Sequence, residues 1–201
     1  MPRWEQGAEE RLREAALELF TEHGYDNVTV AQITERAGLT RRTFSRYFAD
    51  KRDVLFAGSD RLPAALADAV TQADPELTPF EALLAALERV GDAVAARTAP
   101  HAAQRQAIVD GSPELQERGR TKFAAVADAL DAALRQRGAS ATSAGLLANV
   151  GVALFRTAFD RWVAEPDAAT CSARVREAAD ELTRALSPRG HASPSVQETR
   201  T

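Results

Sequence analysis

The chain has 201 residues, of which 45% are hydrophobic, 27% charged and 6% aromatic, with a formal charge of −4. These fractions sit near globular averages and exclude a collagenous, membrane-embedded or wholly disordered chain, while the length allows one or two domains with a sizeable core. A sequence pI of about 5.5 excludes a uniformly basic coat but not a single basic patch. Cys171 is the only cysteine, so no internal disulfide or thiolate zinc cluster can form, and it reads as a small core residue in a reducing compartment. The opening MPRWEQGAEERLREAALELF places glutamates where a signal peptide needs its apolar run. The longest apolar stretch, Ala144 to Phe155, is interrupted by Asn149 and falls short of the ~20 residues a bilayer requires. A soluble, cytoplasmic protein with no membrane segment is expected.

Apolar residues recur with a 3.6-residue period throughout, Gly and Pro fall between the periodic stretches, and strand-like alternation is missing, so the chain is predicted to be all-α. A first helix is expected from Glu5 to His23, with Leu12, Ala16, Leu19 and Phe20 on one side and Gly24 closing it. Thr29-Val30-Ala31-Gln32 reads as a capping box opening a second, short helix whose inner face is Val30, Ile33 and Ala37. Thr40 caps a third helix ending near Tyr47. Asp50 caps a fourth carrying Val54, Leu55, Leu62, Leu66 and Val70, which Pro63 should kink or interrupt. Beyond a polar link at residues 73–76, Thr78-Pro79-Phe80-Glu81 is a second capping box, followed by Leu83, Leu84, Leu87, Val90 and Val94. A short helix is expected near Pro100 to Val109. A long one starts at Ser112-Pro113 and ends at Gly138, and two more run from Ser143 to Ala164 and from Ala168 to Leu186. The last residues, 187–201, lack apolar periodicity and read as a disordered tail.

The order helix, turn at Gly38-Leu39-Thr40, helix is the helix-turn-helix plan, whose second helix enters the DNA major groove. Charge supports it: residues 36–52 hold six basic residues (Arg36, Arg41, Arg42, Arg46, Lys51, Arg52) and one acid, Asp50, so this window carries +5 in a chain of −4. On a helical wheel Phe44 and Phe48 centre the inner face of the third helix, and Arg42, Thr43 and Arg46 point away from it. Arg42 and Arg46 can offer paired donors to guanine, and Thr43 can meet a base edge or a thymine methyl. Arg41, Ser45 and Tyr47 lie toward the flanks, where phosphates pass, and Thr40 sits at the helix start, whose amides attract phosphate. The plainer reading, arginines on a merely solvated face, does not account for the spacing, caps and charge together.

Gly24-Tyr25 before a capped helix, Ala37-Gly38-Leu39-Thr40, Thr43-Phe44, Tyr47-Phe48 and Lys51 resemble the amino-terminal domain of TetR-like (TetR/AcrR) transcriptional regulators, over about residues 8–56. Beyond residue 60 only the pattern of helices is similar. The resemblance implies a three-helix DNA-binding domain joined through a fourth helix to an antiparallel helical bundle that dimerises and binds an effector. The expected boundaries are 1–50 for the DNA-binding domain, 51–73 for the connecting helix and 74–186 for the bundle. The resemblance further implies that Thr29 and Thr40 touch the DNA backbone, that Arg41, Arg42 and Thr43 read bases, and that Tyr47 and Lys51 clamp phosphates. Two departures from the family pattern stand out: Arg42 where a small residue or proline is common, which alters the operator or docking angle, and Ser45 where a tyrosine is common, which removes a phosphate contact.

The helix near residues 146–163 is apolar over most of its circumference, with a narrow polar stripe of Arg156, Asn149 and Asp160, so it has two faces to bury. Paired with the last helix across a two-fold axis, it yields a four-helix dimer interface from Leu147, Leu154, Trp162, Val175, Ala179, Leu182 and Leu186. A central helix in a monomer is the competing reading. The resemblance implies a ligand pocket for a small-molecule effector. Phe80, Phe123, Phe155, Phe159 and Trp162 are its candidate walls, and Arg156, Asn149, His101 and Gln104 its polar handles. No catalytic constellation, cofactor motif or metal site is legible, and His23 and His191 have no partner in the pattern. The sequence therefore points to a DNA-binding regulator that acts as a repressor on a palindromic operator and is released by a ligand. The alternative is a helical enzyme, small-molecule carrier or interaction module whose front domain does not bind DNA.

Overall fold

Caps and periodicity place ten α-helices among the described residues, 7–56 and 58–187, of the computed structural model, with no strand among them. They are α1 (Ala8–His23), α2 (Val30–Arg36), α3 (Arg41–Tyr47), α4 (Lys51–Phe56), α5 (Leu62–Thr71), α6 (Pro79–Thr98), α7 (Ala102–Asp110), α8 (Pro113–Gln136), α9 (Ala141–Ala164) and α10 (Cys171–Leu186). The all-helical expectation holds. Both capping boxes form: the Thr29 and Thr78 amides donate to Gln32 Oε1 at 2.8 Å and Glu81 Oε2 at 2.9 Å, and each threonine hydroxyl accepts the return bond at 3.3 Å. Each box satisfies two amides that the first turn otherwise leaves open. The first turn expected before Gly7, the tail beyond Ser187 and His191 lie outside the described residues.

Residues 51–73 do not form one helix interrupted at Pro63. The break falls upstream, where Gly58 takes φ 75°, a left-handed conformation that side chains disfavour. Pro63 then sits in the first turn of α5, where its missing N–H costs nothing. The break separates two cores. Val54, Leu55 and Phe56 of α4 join Leu12, Phe20, Ile33, Phe44 and Phe48 in the front domain, whereas Leu62, Leu66 and Val70 of α5 enter the body with α6, α8, α9 and α10. The front core also takes Leu115 of α8, with Ile108 and Val109 of α7 packed against it. The two parts are thus in direct apolar contact, not merely tethered by α4 and α5.

Three close contacts set the body. Arg137, at the end of α8, donates to the Val70, Ala73, Asp74 and Leu77 carbonyls and so pins the α5–α6 link. Cys171 packs against Gly91, and burial pushes its thiol up to about 11, which suits a core residue rather than a nucleophile. Gly151 lets α9 approach α6, because a Cβ there would lie 2.9 Å from Leu83 Cδ1. Gly151→Val is therefore expected to overpack this contact and cost about 1–3 kcal/mol, seen as a lowered midpoint in thermal unfolding.

Candidate nucleic-acid interface and ligand cavity

The turn of the helix-turn-helix is fixed by backbone bonds. Gly38, at φ 63°, donates to the Glu35 carbonyl at 3.0 Å and Leu39 to Thr34 at 2.8 Å, the paired pattern by which a glycine ends a helix. Arg11 of α1 adds a hydrogen bond to the Ala37 carbonyl, tying the end of α2 to the first helix. Thr40 accepts from the Thr43 amide at 3.1 Å, and α3 begins. Phe44 and Phe48 then turn inward, their rings 5.5 Å apart, and are both almost fully buried. The opposite face presents Arg41, Arg42, Ser45 and Arg46 as exposed side chains, with Thr43 and Tyr47 half-buried at its edges.

Ion pairs redistribute the charge that the sequence window suggested. Arg36 reaches back to Glu18 at 3.1 Å and Glu22 at 2.8 Å on α1, and its hydrogen bond holds the Glu22 carboxyl below the usual range. Arg52 bonds Asp50 and pairs with Glu114 of α8 at 3.1 Å. The positive charge that faces outward is therefore concentrated on α3. There Arg41 and Arg42 have no ion pair among the described residues, while Arg46 donates to Tyr47 Oη at 2.7 Å and lies 4.8 Å from that ring's centre. Thr29 and Thr40 spend their hydroxyls on local caps, Thr40 sharing a 2.9 Å contact with the Thr43 hydroxyl.

Lys51 needs correction as a phosphate clamp. Its ammonium donates to the carbonyls of Tyr25 at 2.7 Å, Val28 at 2.9 Å and Asp26 at 3.3 Å, and rests 4.3 Å from the Tyr25 ring centre. All three of its protons are engaged in holding the α1–α2 loop to α4. Lys51→Met is expected to lower front-domain stability by about 1–3 kcal/mol while leaving the salt dependence of DNA binding unchanged. A log–log salt slope shallower by about 2 per dimer would instead return Lys51 to the phosphates.

The second feature is a cavity of about 1330 Å³ between the front domain and the body. Of the sequence candidates, Phe123, Phe155, Arg156 and Phe159 line it. The other five are corrections. Phe80 packs against the body core, and Trp162 packs 5.4 Å from Phe159 in a separate apolar cluster with Cys171. Asn149 is exposed and donates to the Gly145 carbonyl. Gln104 bridges α7 to α1 through the Leu17 carbonyl and the Thr21 hydroxyl, and His101 lies 3.8 Å from Glu10. Sequence reasoning passed over Arg105 and Lys122, which do line the cavity. Lys122 had a readable signal: it shares a helical face with Val126 and Leu130, so it interrupts an apolar stripe.

The dimer candidates also divide. Leu154, Trp162, Val175 and Ala179 are buried within the protomer's own cores and cannot offer their side chains to a partner. Leu147 and Leu182 are half-buried and Leu186 is 74% exposed, as is Leu146 to 65%. α9 is long and apolar enough to cross a membrane by composition, but it packs against α6, α8 and α10. Only 33% of its most apolar stretch is buried within the chain. One face of α9 is thus satisfied and another is not.

A capped helix-turn-helix with an outward arginine face, joined to a helical body with a cavity between the two, defines a helix-turn-helix DNA-binding protein. Residues 12–57 match the sequence profile of bacterial regulatory proteins of the tetR family. The chain is 28% identical over 157 residues to a protein named as a mycofactocin biosynthesis transcriptional regulator, MftR, of Mycobacterium tuberculosis, covering 76% of this chain and 78% of that one. Its fold is that of SmeT of Stenotrophomonas maltophilia in complex with triclosan, at TM-score 0.60 and 21% identity over 98% of this chain and 99% of that one. It is equally that of FadR of Bacillus subtilis in complex with stearoyl-CoA, at TM-score 0.60 and 18% identity over 89% and 99%. Over its front domain the chain is similar to TetR-like transcriptional regulators, and over nearly its whole length it shares their fold.

Proposed function

We propose that the chain binds a palindromic operator as a homodimer, represses from it, and is released when a small molecule fills the cavity. One observation carries this reading: Arg41 and Arg42 stand exposed on α3 without a carboxylate partner among the described residues, while Arg36 and Arg52 beside them are neutralised. Arg41, Arg42 and Thr43 read base edges, with Arg46 and Tyr47 acting as a joined pair at the groove edge; Ser45 and the capped starts at Thr29 and Thr40 pass closest to phosphates. Dimerisation uses the unsatisfied face of α9, where Leu146, Val150 and Ala153 follow a helical seam, together with Leu147, Leu182 and Leu186. A two-fold axis then sets two α3 helices about one DNA turn (roughly 34 Å) apart or slightly more, hence a palindrome.

Release requires that the ligand bind the DNA-competent and DNA-incompetent shapes with different affinity; a coupling of about 1–3 kcal/mol suffices. That structures of SmeT and FadR hold triclosan and stearoyl-CoA supports ligand control of this fold. A DNA partner is what a cytoplasmic protein would meet, which supports that location. No catalytic role is assigned, because the front domain that an enzyme or carrier would use as a cap is the part that matches the DNA-binding family.

A band-shift assay with DNA from upstream of the chain's own gene tests the reading. A discrete shift is expected, and no shift at low salt overturns it. With about four phosphates neutralised per subunit, log K should fall with log salt at a slope near −7.

A further inference from the structure

The cavity is lopsided in charge. Seven cationic side chains line it against three carboxylates, in a protein whose formal charge is −4. Two of these cations matter most, Arg105 on α7 and Lys122 on α8. Both are largely packed, and neither has an ion pair among the described residues. Arg105 gives one proton to the Leu55 carbonyl at 3.3 Å, and the Lys122 ammonium lies 5.2 Å from the centre of the Phe123 ring, which Arg156 also approaches at 5.3 Å. Burial, with Arg105 nearby, pushes the Lys122 ammonium down to about 8, and burial likewise lowers Arg105. Charges held this way are costly unless something neutralises them. The surrounding wall is apolar: Phe155 and Phe159 stack with rings 6.3 Å apart and 7° from parallel, beside Val163 and Leu62.

We propose that the cavity binds an amphipathic anion, its carboxylate or phosphate head on Lys122 and Arg105 and its aliphatic tail along Phe123, Phe155 and Phe159. The consequence for DNA rests on the regulator reading above. Leu55 lies in the last turn of α4, inside the front domain, so an anion that takes the Arg105 guanidinium competes for one of the contacts joining α7 to that domain. Head-group capture and release of the DNA-binding domain then share one side chain.

The full-length protein is titrated calorimetrically, below micellar concentrations, with decanoate, decyl phosphate, decanol and decyltrimethylammonium. At least one anion is expected to bind about tenfold or more tightly than decanol, with the ammonium compound weakest; which anion wins identifies the head group. Lys122→Met is expected to erase the anion preference and Lys122→Arg to keep it, with Arg105→Gln as an independent second variant. Equal affinity for decanol and the anions, no anion binding up to about 1 mM, or a preference that survives both Lys122→Met and Arg105→Gln overturns the proposal. The band-shift assay on the same protein separates the two readings. DNA bound with the anions inert sinks this inference alone; an anion bound by a protein that never shifts DNA leaves the cavity site standing and sinks the operator reading.

Discussion

Replacing Arg41 and Arg42 together by alanine is expected to reduce operator binding to the non-specific level, a loss of about 10³-fold or more. Specific sites are held roughly 10³–10⁷ times more tightly than random DNA, and each well-made arginine–base contact contributes about 1–3 kcal/mol of that discrimination. In the proposed dimer each arginine is presented twice, so four contacts would vanish at once. The fold should survive, because both side chains are exposed and make no ion pair among the described residues, while Phe44 and Phe48 keep α3 seated. Arg46→Ala should do less: its guanidinium is already joined to Tyr47 at 2.7 Å, so its loss relaxes sequence preference without abolishing binding. Titration against the operator and a scrambled duplex measures both effects. A double variant that keeps its ratio of specific to random affinity would move base reading away from the start of α3.

Lys122→Met is expected to make the ligand-free protein more stable, by about 3 kcal/mol, while erasing its preference for anions. A lysine whose pKa falls from 10.5 in the unfolded chain to about 8 in the folded one is penalised in its charged form by about that amount. The penalty is fully present below pH 8, where both states are protonated, and disappears as pH rises from 8 toward 10.5. The stability gap between variant and wild type should therefore be widest near neutrality and close over that range. For a chain of this size the gain amounts to roughly 6–12 °C in thermal midpoint. A midpoint that falls, or a gap that does not narrow above pH 8, would mean that the ammonium is solvated or paired. Stability conceded at a binding site is a common trade, and at the proposed site Lys122 shares it with Arg105.

The front domain was the legible part of this chain. Thr29 with Gln32, Thr40 with Thr43, and Gly38 are local devices whose partners lie within four residues, so their pattern alone foretold where α2 and α3 begin and how they meet. Phe44 and Phe48, four residues apart, likewise declared the inward face of α3. The cavity was less legible. Phe123, Phe155, Arg156 and Phe159 were found by type, but Phe80, His101, Gln104, Asn149 and Trp162 were indistinguishable from them until neighbours were known.

By itself the sequence determined the all-helical class, the capped helix-turn-helix and its arginine face, because these depend on hydrogen bonds and periodicities that close over a turn or two of helix. Tertiary structure alone decided which charges are spent and which remain. Arg36 finds Glu22 on another helix, Lys51 is taken up by three carbonyls more than twenty residues away, and Arg105 and Lys122 are left without an anion. Coulombic and hydrogen-bonding partners are chosen by distance in space, which a linear pattern does not encode.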